Sequence, residues 1–347
     1  MSNAYRAVQW SSHKKVYDRV LLLLVIAMLA LFVGASVVLA DADGTAGGPI
    51  LPMRALGAVA GTLWTLLLCI GPLARLDPRF APLLYNRRHL GVTIFGVALL
   101  HGLLALVWYH GFGVIDPLVS LLTSGTDPRA PGLPFQPFGL LALIVLALLA
   151  STSHDFWLHN LGARAWKRLH LLAYPGWLAF VVHVAFGAMQ TPRGTFIAGL
   201  LGAAIVGVGG LHLMVGWRAR RLERRAQSVD DGWLRAGRFA DLRDGHAVRV
   251  CADPDRPIAV FRHGDLVSAI AGTCVHQGGP LAEGRIVGGC VTCPWHGYQY
   301  RPDDGCSPPP FTEKLATHRV RVRDGIVEVD PVALPAGTRV EPARGGS

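Results

Sequence analysis

Four side chains with metal-binding chemistry lie close together in the C-terminal part of the sequence. Cys274 and His276 are followed, after sixteen other residues, by Cys293 and His296. Two thiolates and two imidazoles on paired loops can hold a structural zinc ion. They can also hold a two-iron cluster in which one iron takes both cysteines and the other takes both histidines. Zinc sites usually place two to four residues between paired ligands, and Cys274 and His276 have only one between them, so the pattern favours the two-iron cluster.

A second set of candidate ligands consists of histidines inside long apolar stretches. His101 lies in one such stretch, and His170 and His183 lie together in another. An ionisable side chain inside a membrane is by default a functional-site hypothesis; the alternative is a neutral ring that hydrogen-bonds a neighbouring helix. A separation of 13 residues places His170 and His183 about 19.5 Å apart on an ideal helix, enough to separate two stacked haems. The two rings would share a face only if the helix is kinked near Pro175.

The composition indicates which elements must position these residues. Apolar residues make up 51% of the 347 residues and charged residues 16%, whereas soluble domains average about 25% charged. The mean hydropathy is +0.38. Most of six uncharged apolar stretches approach the roughly 20 residues that a membrane-spanning helix needs: Val20–Ala40, Ala55–Leu73, Leu90–Tyr109, Phe135–Ala150, Leu169–Met189 and Thr195–Trp217. We therefore predict a membrane all-α six-helix bundle, and exclude a wholly soluble enzyme, a disordered chain and a secreted disulfide scaffold.

The basic residues are distributed unevenly between the connecting loops. Sixteen Lys and Arg lie in four loops, at 1–19, 74–89, 151–168 and 218–225, and three lie in the alternate loops, at 41–54, 110–134 and 190–194. By the positive-inside rule, this pattern predicts a multi-pass protein of the inner (cytoplasmic) membrane with both termini in the cytoplasm. The basic excess belongs to residues 1–225, where it fits contact with anionic membrane lipid and argues against a nucleic-acid partner. His110 at the outer interface and His154 in a cytoplasmic loop are expected to be solvated or interfacial.

The remainder of the chain is predicted to form a small all-β domain in the cytoplasm. Short β-type runs alternate there with Gly, Pro and Asp turns; the runs are Ala247–Cys251, Ile258–Phe261, Leu266–Ile270, Arg319–Val322 and Ile326–Val329. The predicted organisation is a six-helix transmembrane domain over 1–225, a linker over 226–232, the β domain over 233–335 and a disordered tail over 336–347.

The segment that carries the Cys and His pairs resembles the Rieske ferredoxin family. Its motif reads CVHQGGPL from Cys274 and CPWHGY from Cys293, and the resemblance covers about Trp233–Pro331. It implies that Cys274, His276, Cys293 and His296 are the ligands of a Rieske [2Fe-2S] cluster.

This chain departs from the high-potential members of the Rieske family at three positions. Those members carry an extra, disulfide-bonded cysteine in each loop, where this chain has Gly279 and Trp295. They also place a hydroxyl residue near the cluster sulfurs, where this chain has Tyr298. A cluster whose sulfur atoms accept fewer hydrogen bonds has a less stable reduced form than the clusters of the high-potential members. The resemblance therefore predicts a reduction potential near the low end of the approximately −150 to +300 mV Rieske range.

A second resemblance appears around the membrane histidines. The sequence RRHLG from Arg87 precedes His101, and AWKRLH from Ala165 precedes His183. These segments resemble the ferric-reductase-like transmembrane domain, which includes the haem subunit of periplasmic methionine sulfoxide reductase systems, over about residues 20–215. The resemblance implies b-type haem between the third and fifth helices, with His101 and His183 as an axial pair.

The number of haems depends on two further histidines. His170 matches the first ligand on the fifth helix of the ferric-reductase-like family. Two-haem members also have a second histidine early on the third helix, near the position that Arg87 or Arg88 occupies in this chain. His89 is the available candidate to pair with His170. The sequence accordingly predicts one or two haems b.

Together the two resemblances imply transmembrane electron transfer. Electrons would pass from a cytoplasmic donor through the Rieske cluster and the haem to an acceptor at the outer face: a periplasmic oxidoreductase, a ferric chelate or oxygen. No dinucleotide-binding fingerprint is visible, so the predicted donor is a separate ferredoxin or flavin reductase, and no catalytic residue is predicted. The alternatives are a protein that exchanges electrons with membrane quinone, and a redox or haem sensor.

Overall fold

The computed structural model describes most of the chain and divides it into two compact units. One unit comprises residues 1–73 and 86–211, and the other comprises 74–85 and 212–347. The described residues are 12–40, 50–80, 83–84, 86–123, 135–187, 194–223, 232–251, 253, 256–276, 278–294, 297–309 and 311–345. His296 and all of the predicted linker except Gly232 lie outside these ranges.

The described residues of the apolar N-terminal part form mainly α-helices. The helices are α1 (Ser12–Ala40), α2 (Ile50–Leu76), α3 (Arg87–His110), α4 (Pro117–Thr123), α5 (Gln136–Ser151), α6 (Asp155–His170), α7 (Ala173–Gly187) and α8 (Gly194–Glu223). Within the described ranges, five segments are long and apolar enough to cross a membrane: Lys15–Val38, Ile50–Leu76, Arg87–His110, Ala165–Gly187 and Gly194–Arg218. Helix α5 is apolar but has only 16 residues. The predicted class, an apolar helical part followed by a small all-β part, is confirmed.

The fifth apolar stretch is not the single helix Leu169–Met189 that the sequence predicts. Helix α6 ends at His170, and α7 begins at Ala173 after a two-residue turn. Pro175 has no N–H to donate to the carbonyl of Leu171, and its ring would crowd that carbonyl. The helix therefore has to restart before Pro175, and His170 and His183 lie on different helices.

Small residues let the helices of the first unit approach closely. A Cβ at Gly61 of α2 would collide with the ring of Phe180 on α7, and one at Gly176 of α7 would lie 2.6 Å from Val145 Cγ1 on α5. The indole Nε1 of Trp177 donates to Thr65 Oγ1 at 3.0 Å, which joins α7 to α2. Close backbone approach and interhelical hydrogen bonds are the usual means of helix association in lipid.

Within the second unit, residues 234–344 form an all-β domain of three antiparallel sheets. Its strands are β1 (Leu234–Arg238), β2 (Ala247–Val250), β3 (Ile258–His263), β4 (Leu266–Ala271), β5 (Arg285–Val287), β6 (Cys290–Thr292), β7 (Gln299–Tyr300), β8 (Thr317–His318), β9 (Val320–Arg323), β10 (Ile326–Val329) and β11 (Ala343–Arg344). The strand orders are β1-β10-β9, β11-β4-β3-β2 and β5-β6-β7, and β8 also pairs with β4. All five predicted β-type runs lie on strands.

Strand β3 separates two hydrophobic cores, because alternate residues of a strand point to opposite faces. Ala259 and Phe261 pack in the core that contains Cys274 and Cys293. Ile258 and other residues of the opposite face pack in the second core, with strands β1, β4 and β10. The two candidate ligand cysteines are therefore part of a hydrophobic core.

The disordered tail predicted over 336–347 is wrong for the residues that the structure describes. Ala343 pairs with Val267, and Arg344 pairs with Leu266, so that β11 extends the sheet beyond β4. The amide of Val340 donates to the carbonyl of Asp303 at 2.8 Å. Strand β4 has backbone groups that need partners, and the tail satisfies them.

Candidate functional site

The two cysteines of the β domain begin loops that share one backbone hydrogen-bond pattern. The amides of Cys274 and Cys293 each donate to the carbonyl five residues further on, at 2.8 Å in both loops. The amides of Gly278 and Gly297 donate back to the cysteine carbonyls, at 2.7 and 2.9 Å. Both glycines have positive φ, +71° and +69°, which favours glycine. The sequence thus folds two matched tight loops, each with one cysteine at its base.

The residues of these loops fit the donor set of a [2Fe-2S] cluster. Cys274 is 1% exposed and Cys293 is 2% exposed, and both carry a thiol rather than a disulfide. His276 is half-buried, and His296 lies outside the described residues. Among the described residues no three His, Cys, Asp or Glu side chains converge on one point.

A buried tyrosine supplies a hydrogen bond to one of the candidate ligand sulfurs. The hydroxyl of Tyr300, whose side chain is 0% exposed, lies 3.2 Å from Cys274 Sγ. A metal-bound thiolate can only accept, so the hydroxyl is the donor. Burial, and next the hydrogen bond with Cys274, raise the pKa of Tyr300, so the phenol stays protonated. The sequence patterns do not predict this donor; the available signal is a second tyrosine two residues after Tyr298.

Tyr298 contacts a different part of the candidate site. Its ring stacks on that of His276, with centroids 4.7 Å apart and planes at 14°, and its hydroxyl donates to the Glu313 carboxylate. Burial and this hydrogen bond raise the pKa of Tyr298. Burial alone would raise the pKa of Glu313, but hydrogen bonds from Tyr298 and from backbone amides hold it below its usual value. Tyr298 therefore orients the imidazole of a candidate ligand and is itself held by an ionised carboxylate.

Removal of the hydroxyl that contacts sulfur is predicted to lower the potential of the cluster. The reduced cluster carries more negative charge on sulfur, so the Tyr300 hydrogen bond stabilises the reduced form more. If that difference is about 1 kcal/mol, Tyr300→Phe lowers the midpoint by on the order of 40 mV for one electron. Redox titration followed by EPR measures the shift, with Tyr298→Phe as the control that removes a hydroxyl bound to Glu313. An unchanged or higher midpoint in Tyr300→Phe would contradict the prediction.

In the helical part, the structure brings together the two histidines predicted to be an axial pair. His101 of α3 and His183 of α7 have ring centroids 6.2 Å apart, with their planes at 79°. The Nδ1 atom of His101 lies 2.9 Å from the carbonyl oxygen of Met53, and Nδ1 of His183 lies 2.9 Å from that of Phe135. A carbonyl only accepts, so both Nδ1 atoms carry the proton, and both Nε2 atoms remain for a metal.

The space around this pair fits one metal atom between the rings. Two metal–imidazole bonds of about 2.0 Å each can be accommodated within the 6.2 Å separation once the distance from ring centre to nitrogen is added. Glycines provide room for the rings on the neighbouring helices. A Cβ at Gly57 of α2 would lie 2.9 Å from His101 Cε1, and one at Gly139 of α5 would lie 2.7 Å from His183 Nδ1.

Gly139→Ala is predicted to weaken haem binding, because the space between Gly139 and the imidazole of His183 is too small for an added methyl group. The added methyl group must displace the imidazole of His183, which is held in place by the Phe135 carbonyl. Disturbing such outer partners of a metal ligand typically costs 10–100-fold in metal affinity. Haem per protein and haem loss to apomyoglobin measure the effect. Gly96→Ala on α3 is the matched control, since a Cβ there meets nothing within 4 Å, and equal haem retention in the two variants would contradict the prediction.

The two other candidate haem ligands lie in separate environments. Nδ1 of His170 lies 3.1 Å from the Trp166 carbonyl, the two rings are stacked with centroids 3.8 Å apart, and Nε2 is buried without a hydrogen-bond partner among the described residues. Nδ1 of His89 lies 2.8 Å from Asp18 Oδ1 on α1. In both, the Nδ1 contact is the kind that orients a ligand histidine. The predicted pairing of His89 with His170 remains a prediction.

The sequence predicts that His110 is solvated or interfacial, and the structure shows that its side chain is not solvated. The side chain is 6% exposed. Its Nδ1 lies 2.8 Å from Ser120 Oγ on α4, and its Nε2 lies 3.0 Å from Gln136 Oε1 on α5. Helix α4 and the start of α5 cover the ring, which the sequence alone does not reveal. Both nitrogens are engaged, which separates His110 from the four candidate haem ligands.

Comparison with known proteins finds a matching family for each of the two parts of the chain. Residues 232–319 match the Rieske [2Fe-2S] domain family, and residues 56–181 match the family described as ferric reductase like transmembrane component.

Individual relatives also match either the C-terminal part or the helical part of the chain. Ferredoxin CarAc of Metapseudomonas resinovorans is 34% identical over 98 residues, which cover 28% of this chain and 92% of that protein. The protein-methionine-sulfoxide reductase heme-binding subunit MsrQ of Bordetella pertussis is 31% identical over 188 residues, 53% of this chain and 81% of that protein. A solved complex of reduced oxygenase and oxidised ferredoxin in carbazole 1,9a-dioxygenase has 32% identity and a TM-score of 0.27, and covers 32% of this chain and 97% of that chain. The chain spans only 22% and 23% of the length of two other curated relatives.

Fold, site and relatives define a membrane electron-transfer oxidoreductase that carries a Rieske [2Fe-2S] cluster and haem b. The chain belongs to the ferric reductase like transmembrane family through its helical part and to the Rieske family through its C-terminal domain.

Proposed function

We propose that this chain moves electrons across the inner membrane, from a cytoplasmic donor to an acceptor at the outer face. The observation that carries the proposal is the presence, in one chain, of two buried thiols on matched loops and a facing histidine pair between membrane helices. When bound, the [2Fe-2S] cluster and haem b each supply a one-electron carrier.

The residues of the chain have distinct roles in this proposal. Cys274, His276, Cys293 and His296 hold the cluster, and the buried setting of the two cysteines excludes water from their sulfurs. His101 and His183 hold one haem through their Nε2 atoms. His170, with His89 as the candidate partner, would hold a second.

The distribution of charge between the loops supports the proposed topology. The Lys- and Arg-rich loops favour a cytoplasmic position for both termini and for the Rieske domain. The proposed donor is a ferredoxin or flavin reductase, since such proteins supply single electrons. The proposed acceptor is a periplasmic oxidoreductase, a ferric chelate or oxygen.

The test uses proteoliposomes in which the orientation of the protein is fixed by protease accessibility. Reduced ferredoxin, which cannot cross the bilayer, is added on the side of the Rieske domain, and ferricyanide is trapped inside. We expect ferricyanide to be reduced by the unmodified protein but not by Cys293→Ser, and Cys290→Ser should behave as the unmodified protein.

Other outcomes would overturn the proposal. Ferricyanide reduction that requires added quinone would identify a quinone-linked protein. Reduction of the haem with no onward transfer to any acceptor would favour a sensor. Faster transfer when the Rieske domain faces the trapped ferricyanide would reverse the proposed direction.

A further inference from the structure

We propose that His110 is a positioning residue for the His101–His183 pair: through Gln136 it fixes the first turn of α5, whose preceding carbonyl orients His183. The inference rests on the proposed function in one respect, that this pair holds a haem. Nothing in the sequence or in the relatives' descriptions assigns a role to His110.

The first step is the contact between His110 and α5. The ring of His110 is buried at the C-terminal end of α3, and its two nitrogens contact the side chains of Ser120 and Gln136. A neutral imidazole has one donor and one acceptor nitrogen. With Nε2–H donating to the amide oxygen of Gln136, Nδ1 accepts from the Ser120 hydroxyl, so the three side chains satisfy one another. Gln136 is the first residue of α5, so this bond ties the start of α5 to α3.

The second step is the contact between the start of α5 and His183. The carbonyl of Phe135 accepts from His183 Nδ1 at 2.9 Å, and the Phe135 ring lies 5.5 Å from the imidazole. One turn later, Gly139 packs directly on the same ring. A Cβ at Gly187 of α7 would lie 2.9 Å from Phe135 Cδ2, so Phe135 is confined from the other side as well. A shift of this turn must therefore move the imidazole of His183.

The consequence concerns haem electronics rather than protein folding alone. The orientation of a ligand imidazole and the strength of its outer hydrogen bond tune the potential of the bound metal. His110 touches neither His101 nor His183 in these contacts, so it acts through Gln136 and Phe135. Its loss should change the properties of the haem while the two ligands remain in place.

Two substitutions of His110 separate this role from simple space filling. The amide oxygen of asparagine can replace Nδ1 as the acceptor from Ser120, but the asparagine side chain is too short to reach Gln136. The amide nitrogen of glutamine can replace Nε2 as the donor to Gln136. We expect His110→Asn to shift the equilibrium between oxidised and reduced haem by up to about tenfold, the lower end of what losing an outer partner of a ligand costs. The low-spin haem EPR signal should change as well. His110→Gln should resemble the unmodified protein. His154→Asn, an exposed helix cap whose ring accepts from the Phe156 amide, is the matched control.

The measurements are haem per protein, the haem midpoint potential and the EPR g-values, made on the full-length protein in detergent or nanodiscs. A His110→Asn variant that matches the unmodified protein, or a His110→Gln variant that is altered as much as His110→Asn, would overturn the inference. If His110→Asn does not accumulate in membranes, Gln136→Ala breaks the same contact from the other side, and the same comparison with His110→Gln decides.

One further variant separates the two proposals. If His183→Ala keeps the full haem content, the ligand assignment in the proposed function fails, and this inference fails with it. If His183→Ala loses haem while His110→Asn keeps the midpoint and the EPR signal of the unmodified protein, only the inference about His110 fails.

Discussion

His183→Ala and His101→Ala are each expected to remove one haem b per chain and to leave the Rieske EPR signal unchanged. The centroids of the two rings lie 6.2 Å apart, and each Nδ1 is already bonded to a backbone carbonyl. Either substitution leaves the opposite imidazole as a single axial ligand and opens a gap beside it. Outer-partner losses alone cost about 10–100-fold in metal affinity, and loss of a ligand costs more.

The measurement is the haem absorbance per protein, with the cluster signal recorded from the same sample. His154→Ala is the matched control, because it removes an exposed histidine from the same half of the chain. His170→Ala shows how many haems there are: it removes a second haem if His170 holds one and changes nothing if the chain holds only one. Full haem content in both His183→Ala and His101→Ala would contradict the ligand assignment.

Cys293→Ser is expected to abolish cluster assembly and to preserve haem binding. The thiolate is the ligand that the iron requires, and a serine hydroxyl in this buried position offers a poor replacement. Cys293 packs in a core with Phe261, Tyr300 and other residues of the β domain. No residue of the membrane helices contributes to that core as it is described. The loss should therefore be confined to the Rieske EPR signal and to the iron and acid-labile sulfide content.

Cys290→Ser provides the control within the same strand and loop. Cys290 lies at the start of β6, three residues before Cys293, and is a partly buried free thiol. It should keep the full cluster signal. Loss of the cluster in Cys290→Ser as well would mean that the β domain does not tolerate the substitution, and loss of both cofactors in Cys293→Ser would show that the two halves fold in dependence on each other.

The candidate haem ligands of the membrane half have the same type of hydrogen bond at Nδ1. The four candidate ligands each present Nδ1 to an acceptor: the carbonyls of Met53, Phe135 and Trp166, and the carboxylate of Asp18. This is the arrangement that fixes the tautomer of a metal-binding histidine. His110 differs because both of its nitrogens are engaged.

Properties that depend on residues close in sequence were predictable. The pairs Cys274–His276 and Cys293–His296 identify the cluster because their spacing lies within two short loops. The apolar stretches identify the membrane helices because length and composition suffice for that. The alternating runs identify strands β2, β3, β4, β9 and β10. The break at His170 was only partly predictable: Pro175 indicated a kink, but the helix ends earlier, so that the proline falls in the first turn of α7.

Properties that depend on residues far apart in sequence required the tertiary structure. The carbonyls that orient His101 and His183 each come from a residue 48 positions away, and Tyr300 reaches Cys274 across 26 positions. His110 is joined to Gln136 across 26 positions as well. The tail becomes β11 only because strand β4 is beside it. The sequence by itself determined which groups can bind iron, since ligand chemistry belongs to residue types; which hydrogen bonds hold those groups was decided by the packing of helices and strands, because a carbonyl or hydroxyl can orient a ligand only where the fold places it.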